Sequence, residues 1–137
     1  MSTDEMTTEE IFKELDHMLF EESIAIQGLA SDIHRLNQKW WQFDLGGPTR
    51  NKGEAIALMH SELSECLEAV RKDLYDDHLP HLKGEVVELA DCIIRILDYC
   101  RGFNLPIGKA VYEKLEYNAQ RQDHKKDVRD KEGGKKF

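Results

Sequence analysis

Apolar positions along this chain recur at steps of three and four residues, and no stretch shows a convincing alternation of period two. That spacing is the signature of helices that bury one face. Ile26, Leu29, Ile33, Leu36 and Trp40 lie on one such stripe, so a helix is expected to run to about Trp41. Thr7 followed by Glu10 has the capping-box pattern, which places its start near Thr8. Gly28 falls inside this span and either interrupts the helix or only weakens it. Asp44 to Gly53 (DLGGPTRNKG) reads as a loop. Further helices are predicted over about Glu54–Leu74, Lys83–Arg101 and Ile107–Arg121 or slightly beyond, with Pro48, Pro80 and Pro106 falling where periodic segments stop. Gly102 is placed to end the third of these as a C-terminal glycine cap. The expected fold is all-α, with four to five helices forming one domain over residues 1–121. The tail over 122–137 is too polar to add to a core and is expected to be mobile unless a ligand orders it.

Winding the two middle helices at ~100° per residue puts acids where they are costly. On the helix from Glu54, residues Leu58, Met59, Leu63, Cys66, Leu67, Ala69 and Val70 form an apolar arc; Glu62 lies inside it and Glu65 at its edge. The helix from Lys83 is apolar over most of its circumference, which predicts that it is largely buried. Its remaining strip carries Glu88, Asp91, Arg95 and Asp98. Two antiparallel helices would thus offer Glu62-x-x-Glu65 and Glu88-x-x-Asp91 to a common point. Carboxylates that close raise one another's pKa, and a hard divalent ion relieves the repulsion; Mg²⁺ favours oxygen ligands and shares them with water and phosphates. Acidic pairs three apart also commonly form a solvated helix face, and the spacing alone leaves both readings open.

On the last helix Lys114, Asn118 and Arg121 fall within a stripe ~60° wide, with Lys125 in line if the helix continues. A cation, an amide and a guanidinium suit polyphosphate oxygens, or else make an ordinary solvated face. Trp40 and Trp41 suggest one indole in the core or a subunit contact and one stacked on a base, the base contact falling to Trp41. His34, two turns earlier, is placed to line the same pocket. The glycines of GGPTRNKG do not satisfy the P-loop pattern, and Gly133-Gly134-Lys135-Lys136 suits either a phosphate wrap or a flexible end. Glu14-x-x-His17 occurs once, whereas a di-iron bundle needs that motif from two helices.

Charge and cysteine usage narrow the partners. The net charge is −8, and with six Lys/Arg against four Asp/Glu in residues 122–137, the preceding 121 residues carry −10. An acidic body argues against binding nucleic acid, but not against a phosphorylated ligand carried with divalent ions. Cys66, Cys92 and Cys100 are odd in number and lack CxxC spacing, as expected of reduced core thiols in the cytoplasm. No apolar run reaches the roughly 18 residues of a membrane span, and the start does not resemble a signal peptide.

HSELSECLEA (60–69), GEVVELADCIIRILD (84–98) and KLEYNAQR (114–121) together resemble the MazG-like nucleotide pyrophosphohydrolases of the all-α NTP pyrophosphatase superfamily, with IHRLNQKWW (33–41) and EGGKKF (132–137) similar to segments of its single-domain members. The likeness covers about residues 25 to 125. It implies a bundle completed by a homodimer or homotetramer, and Mg²⁺, with Mn²⁺ as a substitute, held by Glu62, Glu65, Glu88 and Asp91. It also implies phosphate contacts from Lys114, Asn118 and Arg121. In many relatives a compact basic, glycine-containing segment follows the arginine closely, whereas QDHKKDVRDKE intervenes here. Arg95 stands where some relatives have an aromatic or another polar residue. The activity implied is hydrolysis of a nucleoside triphosphate to monophosphate and pyrophosphate, in nucleotide house-cleaning, with Glu62 or Glu65 accepting the water's proton. The rival readings are a non-catalytic helical interaction module with a solvated acidic strip, and a redox metal protein, which the missing histidine ligands disfavour.

Overall fold

The computed structural model describes residues 5–121 and Gly133. The expectations about Lys125, the Gly134–Lys136 segment and the mobility of the tail fall outside the described residues. Four α-helices are present among these: α1 (Thr8–Asn37), α2 (Lys52–Lys72), α3 (Gly84–Gly102) and α4 (Ile107–Gln120). A single 3₁₀ turn (Gln38–Trp40) follows α1, and a two-residue hairpin pairs β1 (Phe43–Asp44) with β2 (Gly47–Pro48). Strands this short carry no period-two signal, which is why the segment reads as loop. The chain divides into two compact units, one drawn from its two ends, through Gln27 and from Ile107 onward, and the other Gly28–Pro106.

The helix starts follow from local chemistry. At α1 the Thr7 amide donates to Glu10 Oε2 (2.8 Å) and the Glu10 amide to Thr7 Oγ1 (3.2 Å), a reciprocal capping box. Gly28 does not break α1. At α2, Asn51 Oδ1 accepts from the Glu54 amide at 2.9 Å, satisfying an otherwise orphaned donor. Asp73 ends α2 in the left-handed region (φ 49°).

In the Gly28–Pro106 unit, α2 and α3 form an antiparallel hairpin. Its register reads off two contacts that run in opposite senses, Cys66 Sγ to the Glu85 carbonyl and Cys92 Sγ to the Met59 carbonyl, with Arg95 reaching Glu62 from beyond Cys92. Gly102 is the last helical residue of α3 rather than its cap; the left-handed residue is Asn104 (φ 55°). What Gly102 supplies is absence. A Cβ there would lie 2.2 Å from the Trp41 ring, so only glycine lets the indole seat against α3.

The expectation that α3 is largely buried holds only in part. Cys92, Leu97 and Cys100 are buried, whereas Val86 (50%) and Ile93 (53%) stay exposed, as do Leu63 and Leu67 of α2. One helical hairpin cannot cover apolar surface on both of its sides. In the unit formed by the chain ends, Tyr112 of α4 sits among Phe12 and Phe20 of α1 and donates to Asp16. The α4 backbone comes so close to α1 at Gly108 that a Cβ would meet the Ser23 carbonyl at 2.2 Å.

Candidate functional site

Antiparallel pairing with Glu62 opposite Glu88 brings three of the four predicted carboxylates together. Glu62, Glu65 and Glu88 each offer an oxygen, and these oxygens lie within 4.8 Å of one another. Glu62 is buried (7% exposed), as its place inside an apolar arc requires; Glu88 is intermediate and Glu65 exposed. Asp91, one turn on from Glu88, lines the adjoining cavity beside Glu62 and is not one of the three.

The charges of the cluster are unevenly borne. Burial pushes the Glu88 carboxyl up to about 7, and its contacts with Glu62 and Glu65 push the same way. Burial also works to raise Glu62, but the hydrogen bond from Arg95, the contacts with Glu88 and Glu65 and the guanidinium charge outweigh it, leaving Glu62 below the usual carboxylate range. Asp91 is raised by burial and by the charge of Glu62, against the opposing pull of Arg95. Three acids this close cannot all ionise cheaply, so Glu88 holds its proton to higher pH than usual while Arg95 offsets the charge of Glu62.

That guanidinium is Arg95, whose Nε donates to Glu62 Oε1 at 2.7 Å. It opens onto a cavity of about 500 Å³ whose walls include Trp40, Arg50, Glu62, Asp91, Arg95 and Asp98. Asp98 is buried (4% exposed) and organises the inner wall. It accepts from Trp41 Nε1 (3.1 and 3.2 Å), from His34 Nδ1 (2.9 Å) and, at longer range, from Arg50 Nη1 (3.4 Å). The Arg50 guanidinium also lies 5.0 Å from the centre of the Trp41 ring.

No family model, curated protein or solved structure matches the chain.

The two tryptophans differ sharply in exposure. Trp41 is buried (6% exposed), hydrogen-bonded to Asp98 and edge-on to His34 and Phe103, so its faces are taken by protein. The expectation that Trp41 contacts a base meets a buried indole, whereas Trp40 is 72% exposed, lines the cavity and has Lys39 Nζ 5.5 Å from its ring centre. His34 does stand near the cavity, but as a partner of Asp98 rather than a lining residue. Asp98, Arg95 and Arg50 carry weight that the sequence reading did not assign them. The signal for two of them was the continuation of the Glu88–Asp91 strip by four and seven residues. Arg50 sits in a loop, where periodicity gives no warning.

Lys114, Asn118 and Arg121 belong to the other unit. Lys114 Nζ lies 4.7 Å and the Arg121 guanidinium 5.6 Å from the Tyr117 ring centre, so the two cations flank one aromatic. Asn118 Oδ1 is buried with no hydrogen-bond partner among the described residues, an uncommon state for an amide oxygen.

Proposed function

We propose that this protein is a Mg²⁺-dependent nucleoside triphosphate pyrophosphohydrolase. The observation that carries the reading is the meeting of Glu62, Glu65 and Glu88 oxygens within 4.8 Å across an antiparallel helix pair. The donor set fits a hard divalent ion: all oxygen, mostly anionic, with one member buried and one open to a ligand arriving from solvent. The elevated Glu88 carboxyl supports it as well, because a proton is held where a cation would do better.

In this reading Glu62, Glu65 and Glu88 hold the metal, with Asp91 on the adjoining cavity wall. A divalent ion held by these carboxylates would supply charge neutralisation for phosphate oxygens and a lower pKa for the attacking water. Glu65, the exposed member, accepts the proton of the water that attacks the α-phosphorus. Pyrophosphate leaves and the monophosphate remains. Arg50 and Arg95 present positive charge to the cavity, and Trp40 presents a face on which a planar base can stack. For Lys114, Asn118 and Arg121, in the other unit, the proposal of phosphate contacts rests on the resemblance alone. The apolar surface left open on α2 and α3 is taken as the contact between copies of this chain, as a homodimer or homotetramer.

The test is pyrophosphate release from a panel of ribo- and deoxynucleoside triphosphates, each with and without Mg²⁺. Release that requires the ion is expected for at least one substrate. Glu62→Gln, close to isosteric, should lower kcat on the order of 10²-fold or more while the far-ultraviolet circular dichroism stays unchanged. A folded Glu62→Gln protein with full activity would remove the assignment.

A further inference from the structure

Arg95 occupies a position that the proposed function does not by itself explain. Its Nε donates to Glu62 Oε1 at 2.7 Å, the same carboxylate that heads the candidate metal centre. The two partners are unequally held. The Glu62 side chain is 9% exposed within the α2–α3 contact, whereas that of Arg95 is 35% exposed and borders the cavity. If one of the pair moves, it is the guanidinium, which sits on a long flexible stem with open volume beside it.

A divalent ion at the three carboxylates brings two positive charges to within a few ångströms of the guanidinium. It also competes for the carboxylate that Arg95 Nε now uses. Like charges at that separation repel in a partly buried setting, so metal and guanidinium compete for Glu62. The cavity gives the released group somewhere to go. Its wall already carries a second guanidinium, that of Arg50, held by Asp98 at 3.4 Å.

We infer that Arg95 is an exchangeable counter-ion: it neutralises Glu62 while the carboxylates lack a metal ion, and metal binding releases it into the cavity, where it binds an anionic phosphate group beside Arg50. This rests on the metal-centre reading above and adds an order of events. The metal enters first, and its entry creates the anion site. A triphosphate arriving without the ion meets an arginine already engaged.

The test combines three proteins and two probes. Mn²⁺ affinity is measured by electron paramagnetic resonance on wild type, Arg95→Gln and Glu62→Gln; binding of inorganic pyrophosphate at saturating Mg²⁺ is measured by calorimetry on wild type and Arg95→Gln. Removing a competitor for Glu62 should tighten Mn²⁺ binding by about three- to tenfold, the scale of one partly exposed ion pair. Removing the anion contact should weaken pyrophosphate binding by about tenfold. Opposite shifts for the two probes are the signature, since a merely structural arginine would weaken both. Unchanged or weaker Mn²⁺ binding by Arg95→Gln overturns the inference, as does unchanged pyrophosphate binding. Should wild type bind no Mn²⁺, or Glu62→Gln bind it equally well, the metal reading itself falls. Wild-type protein gives a check that needs no folded variant: the Arg95 Nε–H resonance should move on Mg²⁺ saturation. Its staying in place while the Glu62 and Glu65 amides shift would also reject the exchange.

Discussion

At the scale of single residues, Glu88 makes the acidity of the site measurable. Its carboxyl is raised from 4.5 to about 7 by burial and by Glu62 and Glu65. Between these values the folded, metal-free protein holds a proton that the unfolded chain has lost. Stability therefore falls as pH rises from about 4.5 to 7, the reverse of an acid held ionised by a partner. Glu62, held low, acts the other way only at still lower pH. Urea midpoints across pH 5–8 should show this decline without divalent ions, and saturating Mg²⁺ should flatten it. Below pH 7 the apparent Mg²⁺ affinity should climb by up to about tenfold per unit, because the ion displaces one proton. A pH-independent affinity over that range would mean that Glu88 is not a ligand. The two tryptophans teach a related lesson. Adjacent residues of one type have no distinguishing pattern, and Trp41 rather than Trp40 goes inside because Asp98 accepts its indole N–H and Gly102 leaves room for its ring.

Among elements, the junction between Trp41 and the end of α3 decides how well the cavity wall is held. Gly102→Ala puts a methyl group where the indole now sits, 2.2 Å from its nearest atom. Overpacking of this kind costs about 1–3 kcal/mol. The same change at a solvated helix end would be near neutral or slightly stabilising, since alanine is the better helix former. Chemical denaturation distinguishes the two, and near-ultraviolet circular dichroism of Trp41 should change in the first case only. The helices themselves were readable in advance: the Thr7–Glu10 box, the spans of α2, α3 and α4, and the placing of Glu62 within an apolar arc all follow from spacing. At the end of α3 a glycine after a helical run suits both a left-handed cap and a close contact, and only packing tells them apart.

For the molecule as a whole, the open question is what covers the apolar surface of α2 and α3. Leu63 (47% exposed), Leu67 (58%), Val86 (50%) and Ile93 (53%) are large apolar residues open to solvent and are the ones proposed to meet a second copy. Sedimentation equilibrium is expected to give a dimer or tetramer, and Ile93→Asp should shift it toward monomer. A wild-type protein that sediments as a monomer at tens of micromolar would leave those residues without the proposed role. Among the described residues no helix is long and apolar enough to cross a membrane. Periodicity and local hydrogen bonding act within a few residues, so the amino-acid order by itself determined the helices, their starts and the strip that carries Glu88, Asp91, Arg95 and Asp98. Only tertiary structure decided that Glu62, Glu65 and Glu88 meet while Asp91 faces the cavity, that Arg95 pairs with Glu62, and that Asp98 gathers His34, Arg50 and Trp41. Those pairings depend on the register of α2 against α3 and on one missing Cβ, distances through space that a linear pattern does not encode.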